Sequence, residues 1–207
     1  MNKLISFLAA PLIAFSSLFA AERTLFTPGD SITHGGFGAP VVKMTQVDGH
    51  GRLLVGAEGG WIINHGFYLG LGGYGMVEGI ATDSISPEGD RQYMQMGYGG
   101  LLTGYTFQSD ALFHLGFQQL IGAGGMTLTD SRWGERHNKD YDEDRGSDQA
   151  FFVWEPQING ELNVTRWMRV AVGAGYRLTW LPEKSYGFSD NDLGGPVASL
   201  AVKFGKF

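Results

Sequence analysis

Apolar and polar residues alternate in steps of two from Pro40 onward, and this is the period of a β-strand. Glycine, asparagine and aspartate interrupt the alternation at intervals, as expected of turns. The pattern predicts eight strands, which lie near residues 39–47, 52–63, 66–79, 92–107, 110–126, 151–164, 168–180 and 196–207. Each segment is long enough to cross a bilayer at a tilt, which takes about 9 to 11 residues.

Most of the predicted strands have two chemically different faces. On residues 151–164, Phe152 and Trp154 share an apolar face, and Glu155 and Glu161 lie on the opposite face. A soluble core would hardly hold so many whole charges at mid-strand. We therefore expect the apolar faces to meet lipid and the polar faces to line a lumen. The same separation is predicted for residues 52–63, 66–79 and 168–180.

The strand at residues 92–107 has a weaker alternation. Its more apolar side chains are assigned to the lipid face and its polar ones to the lumen. The two sets are Met94, Met96, Tyr98 and Leu102, against Gln95 and Thr103.

The connections between the strands are of two kinds. Tight breaks at Asn64-His65, Gln108-Ser109 and Thr165-Arg166 alternate with longer connections at residues 80–91, 127–150 and 181–195, and the connection at 48–51 is the short exception among the longer set. A barrel with an even number of strands and both termini in the periplasm has short turns on that side and long loops outside. We therefore predict an all-β fold, an eight-stranded antiparallel up-and-down transmembrane β-barrel.

The amino end of the chain is typical of a signal peptide. A basic residue, Lys3, is followed by a long apolar run and by small residues at Ala20 and Ala21. The chain is thus predicted to have three parts: a signal peptide at residues 1–20, an N-terminal extension at 21–38 and the barrel at 39–207.

These features together resemble the small OmpA/OmpX-type eight-stranded outer-membrane β-barrel proteins. The resemblance covers the chain from about Gly36 to Phe207 and rests on the pattern, without a diagnostic motif. It implies a monomer in the outer membrane of a Gram-negative bacterium, in contact with outer-membrane lipid and lipopolysaccharide and inserted by the barrel-assembly machinery. One departure concerns the C-terminal assembly signal. Gly205 and Lys203 stand where that family has apolar residues, so we expect a degenerate signal or a bulge.

Composition excludes several classes of function. The chain has no cysteine, so disulfides and thiolate metal sites are impossible. Its net charge of −6 offers no basic surface for nucleic acid. We expect no nucleic-acid partner, no cofactor and no metal site.

Two segments and one histidine suggest a chemical role that their context does not favour. Residues 29–33 resemble the nucleophile block of the GDSL esterases, with Ser31 as nucleophile, but the α/β fold of that family is not predicted here. Asp140, Asp142 and Asp144 have the spacing that opens a calcium loop, but the later glycine and acid of that motif are missing. His114 lies mid-strand on the polar face, where we expect a hydrogen-bonded lumen residue. No catalytic residue is predicted.

The predicted lumen face carries four bases and four acids, which are Lys43, Arg169, Arg177 and Lys203 with Glu58, Glu78, Glu155 and Glu161. We expect Glu161 to pair with Arg169. We expect Glu155 to pair with Arg177 in the same way, because like faces of two adjacent strands lie opposite one another. An eight-stranded barrel is just wide enough for side chains to fill, and this favours a closed lumen.

The sequence therefore favours a small outer-membrane β-barrel with a filled polar lumen and a structural or interaction role through its outer loops. Two alternatives stay open: a narrow, porin-like channel or carrier of hydrophobic solutes, and an outer-membrane enzyme that modifies lipid. A channel needs a continuous wet path, and an enzyme needs a nucleophile with an adjacent base. The sequence predicts neither of these features.

Overall fold

The computed structural model describes residues 32–85, 91–129, 149–181 and 189–207, and all of its strands lie within Thr33–Phe207. Each pair of neighbouring strands is antiparallel. In chain order the elements are β1 (His34–Val47), β2 (His50–Ile63), β3 (Phe67–Met76), β4 (Ile80–Ile85), β5 (Arg91–Thr106), β6 (Phe113–Thr129), β7 (Gln149–Thr165), β8 (Met168–Trp180), α1 (Asp190–Leu193) and β9 (Gly195–Lys206).

Strands β3 and β4 are two parts of one barrel strand, since both pair with β5. Gly75 lies opposite Gly97 and Ile80 lies opposite Met94, so the stretch between β3 and β4 carries two extra residues, as in a β-bulge. Because β1 pairs with both β2 and β9, the sheet closes on itself. The result is an eight-stranded antiparallel up-and-down barrel, and the predicted fold class is confirmed.

The strands of the barrel are staggered. From Gly35 on β1, a row of directly paired residues runs once around the wall through Ile62, Tyr68, Gly104, Gln118, Gln157, Gly175 and Val197. The row returns to β1 at Thr45, ten residues beyond its start. A sheet that closes with such a stagger has strands tilted against the barrel axis, and eight strands enclose room for side chains or for one small ligand.

The barrel has two different ends, which we name the turn end and the loop end. The turn end holds the tight connections at residues 64–66, 107–112 and 166–167, the start of β1 and the end of β9. At the loop end, β1 and β2 are joined by Asp48 and Gly49, whose φ angles are 52° and 70°. Positive φ at both positions is typical of the two-residue hairpin turn that Asp-Gly favours.

Most strand boundaries shift by one to three residues from the prediction, and two places differ by more. Strand β1 begins at His34 rather than at residue 39, because its glycine-rich start hides the alternation although Gly35 pairs with Ile62 of β2. Strand β4 occupies part of the predicted connection at 80–91. The barrel wall is therefore longer at both places than alternation alone predicts.

Helix α1 is bonded to the loop end of the barrel. Its Asp190 carbonyl oxygen accepts from the Thr179 hydroxyl group at 2.7 Å, and its Asp192 carbonyl oxygen accepts from the Asp48 backbone N–H at 2.7 Å. The side chain of Leu193 is completely buried. No helix within the described ranges has the length and the apolar character needed to cross a membrane.

Candidate functional site: the barrel lumen

The side chains of the barrel divide between an exposed outer face and a buried inner face. On β7, Ile158 is 64 % exposed and Glu161 is 1 % exposed, and exposure alternates along most of the strand. Strands β2, β3 and β8 show the same division. Large apolar residues dominate the exposed set, so the predicted facing of these four strands is confirmed.

The predicted facing of β5 is wrong. Its outer face carries the exposed Leu101 and Tyr105, together with Gly97 and Gly99. Alternation misassigns this strand because glycine weakens the apolar signal of the outer face, while the lumen at this level is itself apolar. The side chains that were assigned to lipid are buried inside: Met94, Met96, Tyr98 and Leu102.

At the turn end, one carboxylate is surrounded by basic side chains. Lys203 donates to Oε1 of Glu161, and Nε2 of His114 lies 3.3 Å from its Oε2. Nη1 of Arg169 lies 3.8 Å from the same Oε2, so the predicted pair of Glu161 and Arg169 is present, with Lys203 as the closer partner. The register brings these residues together, since His114 pairs with Glu161. Arg169 likewise pairs with Lys203. We name these four residues the turn-end cluster.

Residues at the end of β9 and directly after it complete the turn end. The ring of Phe207 lies 4.0 Å from Cζ of Arg169, in a cation–π contact. The outward aromatic residue of this segment is Phe204, which stacks on Trp167 with ring centroids 6.0 Å apart. Because the β8–β9 register runs without a break to Phe204, the shifted phase of the C-terminal segment is not caused by a bulge before that residue.

At mid-height, Lys43 and Glu155 form a buried ion pair across the lumen, between β1 and β7. The hydroxyl group of Tyr98 donates to Oε2 of Glu155 at 2.6 Å. The ammonium group of Lys43 lies 3.4 Å from the ring centroid of Tyr74, and Tyr74 in turn donates to Glu58. We name these five residues the central network.

Amide side chains extend the central network across the lumen. Gln118 donates to Glu58 at 2.9 Å, and its Oε1 accepts from the hydroxyl group of Tyr68 at 2.9 Å. The same Oε1 accepts from Nδ2 of Asn159 at 3.2 Å. Hydrogen bonds therefore connect β2, β3, β6 and β7 through the interior.

Near the loop end, Arg177 is completely buried. Its Nε donates to the carbonyl oxygen of Leu193 at 2.8 Å, and its Nη2 donates to the hydroxyl group of Thr45 at 3.1 Å. None of the ion pairs within the described part of the chain includes Arg177. The predicted pair of Arg177 and Glu155 is therefore wrong. Lys43 reaches Glu155 from across the lumen, and the carbonyl group at the end of α1 holds the guanidinium group instead.

Large apolar side chains are buried at the loop end of the lumen. We name five of them, none more than 2 % exposed, the loop-end core: Leu54, Met94, Met126, Phe151 and Leu193. Sequence reasoning missed this group because an apolar residue that faces the lumen looks like one that faces lipid. The phase of β6 is the signal that could have found it. His114 and Gln118 mark its lumen face, and Met126 lies on that same face.

The remaining predicted residues lie elsewhere. Glu78 lies between β3 and β4, within neither strand, and is partly buried, whereas the other seven predicted lumen charges are buried. Ser31 and residues 140–144 lie outside the described residues. In the described part of the chain, no three or more histidine, aspartate or glutamate residues are grouped so that they could hold a metal ion.

Comparison with known proteins concerns the fold. No protein-family model matches the chain, and no curated protein matches its sequence. Among solved structures, neisserial surface protein A is similar with a TM-score of 0.51 and 10 % sequence identity, over 86 % of this chain and 100 % of that one. The N-terminal β-barrel domain of Pseudomonas aeruginosa OprF is similar with a TM-score of 0.50 and 11 % identity, over 84 % of this chain and 99 % of that one. The chain therefore has the fold of the small eight-stranded outer-membrane β-barrel proteins, the resemblance that its alternating pattern predicts.

Proposed function

We propose that the protein is an outer-membrane β-barrel with a closed lumen, which acts through the surfaces at its loop end and does not conduct solutes. The outer face supports a membrane location, because Leu71, Ile158 and Val172 belong to a belt of exposed apolar side chains. A soluble monomer rarely exposes so much contiguous apolar surface. Exposed Trp61 and Trp167, near the turn end, suit a membrane interface.

The two ends suggest an orientation. The turn end would face the periplasm and the loop end the outside, since outer-membrane barrels have short periplasmic turns. In this orientation the outer face contacts outer-membrane lipid, the loop end contacts lipopolysaccharide, and the barrel-assembly machinery inserts the chain. A monomer suits a closed barrel, which has no free strand edge to pair with another chain.

The observation that carries the proposal is a succession of three layers of side chains along the lumen, with the ion pair of Lys43 and Glu155 at mid-height. The turn-end cluster lies on one side of it and the loop-end core on the other. A cavity at the turn end, next to Glu161 and Arg169, has a volume of about 10 Å³, which is room for about one water molecule. Conduction needs a continuous wet path, and three layers of side chains interrupt it.

Location is tested by fractionating Gram-negative cells that express the chain. The protein should appear with outer membranes and should change its apparent size on gels when boiled, because folded barrels resist detergent. Recovery as a soluble periplasmic monomer without detergent would refute the proposed location.

Closure is tested by conductance in planar bilayers. The native barrel should give no steady conductance. The double variant Lys43→Ser, Glu155→Ser, which removes the bridging pair without leaving either charge unpaired, should also stay closed, because the turn-end cluster and the loop-end core still interrupt the path. Steady conductance of the native barrel would support a narrow channel instead. Altered lipid A in expressing cells, seen by thin-layer chromatography, would support the lipid-modifying enzyme.

A further inference from the structure

Methionine is concentrated at one place in the lumen. The chain has seven methionines, and four of them, Met76, Met94, Met96 and Met126, are buried at the loop end. The other two within the described residues, Met44 and Met168, lie on the outer face. Lower in the same lumen, β5 and β6 place leucines opposite one another, Leu102 and Leu120. On β5 and β6, thioethers thus stand at the loop end and leucines lower in the lumen.

The strand register brings the four side chains into one group. Met96 on β5 lies directly opposite Met126 on β6. The β3–β5 register ends at Gly75 opposite Gly97, and Met76 and Met96 are the residues next to that pair on its loop-end side. Directly opposed residues have Cβ atoms about 4.5–5.5 Å apart, and diagonal neighbours about 7–8 Å, within reach of long side chains. Met94 is such a neighbour, two residues from Met96 on the same face. Three or four sulfur atoms from three adjacent strands can thus converge on one point.

Thioether sulfur is a soft, uncharged ligand that selects soft metal ions such as Cu(I). An uncharged ligand set inside an apolar lumen does little to offset the loss of hydration of a divalent ion, whose cost rises with the square of the charge. A monovalent ion fits better. A negative charge lies beyond Tyr98, which is two residues from Met96 on the same face and donates to Glu155. Tyr98 also lies near a cation, since its ring centroid is 5.4 Å from Cζ of Arg177.

We propose that Met76, Met94, Met96 and Met126 form a binding site for one soft monovalent metal ion, Cu(I) or Ag(I). The site is independent of whether the lumen conducts. It also differs from the sites sought in the sequence, since it uses no histidine, carboxylate or thiolate group.

The experiment titrates Ag(I) into the full chain, refolded in detergent with ¹³C-labelled methionine methyl groups, in a nitrate buffer free of chloride. The site predicts saturation at one Ag(I) per barrel and shifts in the methyl resonances of the four clustered methionines. Met44 and Met168 should keep their resonances, and Mg(II) should shift none. Absence of shifts in the cluster, or equal shifts at Met44, would overturn the proposal.

Two variants separate ligation from packing. Met96→Leu conserves volume, so the barrel should refold, and it should weaken Ag(I) binding by at least the roughly tenfold that loss of an outer-shell partner costs at metal sites. Met44→Leu, on the outer face, should bind as the native chain does. If Met96→Leu does not refold, Met126→Leu makes the same test. Unchanged affinity in the refolded variant would refute the site.

Discussion

The two ends of the lumen are lined by side chains of different chemistry. At the turn end, Glu161 is shared by three basic side chains, whereas at the loop end apolar side chains such as Leu54 and Phe151 pack together. Burying a charge costs free energy that only good pairing offsets, while burying apolar groups is favourable by itself. The stability of the turn end should therefore depend on the presence of every charged partner. The stability of the loop end should depend on how well its apolar side chains pack.

The largest effect of a substitution is expected at Glu161. Replacement by alanine leaves Lys203 and Arg169 buried without their carboxylate, and breaking a buried pair costs about 3–5 kcal/mol. The free energy of unfolding, measured by urea titration of the refolded barrel, should fall by about this amount.

Double-mutant cycles separate the partners of Glu161. The double variant Glu161→Ala, Lys203→Ala should lose less than the sum of the single losses, because no stranded ammonium group is left. The cycle with Arg169 should show weaker coupling, since its Nη1 is 3.8 Å away and its Nη2 also donates to the Ser109 carbonyl oxygen. Additive losses in both cycles would show that the turn end is not held by its ion pairs.

At the loop end, Leu54→Ala should cost about 2–5 kcal/mol, because the surrounding core cannot fully close the cavity. Leu71→Ala is the matched control. Leu71 is 68 % exposed on the outer face of the neighbouring strand, where lipid can fill the space, so its loss should be clearly smaller in the same urea titration. Equal losses would mean that the loop end of the lumen is not a packed core.

A third substitution tests which face of the barrel wall is assigned to lipid. Val172 is 60 % exposed in the middle of β8, and a charge at mid-bilayer on the lipid face costs about 2–4 kcal/mol. Val172→Arg should reduce stability in lipid vesicles by this amount. Leu112→Arg, in the turn at residues 107–112, should cost little, because that position is exposed at the edge of the membrane. A similar cost at both positions would contradict the assigned facing.

The sequence predicts the strands of the barrel better than it predicts the side chains inside the lumen. On β7 the two faces differ strongly, since Trp154 and Ile158 alternate with Glu155 and Glu161, and both the strand and its facing follow. On β5 the phase is lost, because the lumen is apolar where Met94 lies. The facing of β5 follows from its pairing with β6, because His114 and Gln118, nearer the turn end, mark the lumen face of β6.

The pairing of the lumen charges shows a second limit of neighbour-based reasoning. Adjacent strands suggest Glu155 with Arg177, but Lys43 on β1 reaches Glu155 from across the barrel. Contacts through a closed lumen join strands that are far apart along the sheet. Predicting them requires the stagger of the closed barrel, which appears only when every register is known.

The smallest changes in the free energy of unfolding are expected from alanine substitutions of two glycines near the loop end. One glycine faces the lumen and the other lies on the outer face, and the two changes should have opposite signs. Gly124 faces the lumen, and a Cβ atom there would lie 2.3 Å from the ring of Phe151 and 2.6 Å from the Gly97 carbonyl oxygen. Gly124→Ala should therefore cost about 1–3 kcal/mol by overpacking.

Gly75 lies on the outer face, and a Cβ atom added to it would meet nothing within 4 Å. Its φ is not in the left-handed region, so alanine can adopt the native backbone without strain. Because alanine loses less conformational freedom than glycine on folding, Gly75→Ala should stabilise the barrel by about 0.5–1 kcal/mol. Urea titration of the two alanine variants beside the native chain measures both signs. Destabilisation by Gly75→Ala as large as that by Gly124→Ala would mean that the outer face of β3 is packed against another group. It would contradict the assumption that only the inner side of the loop end is tightly packed.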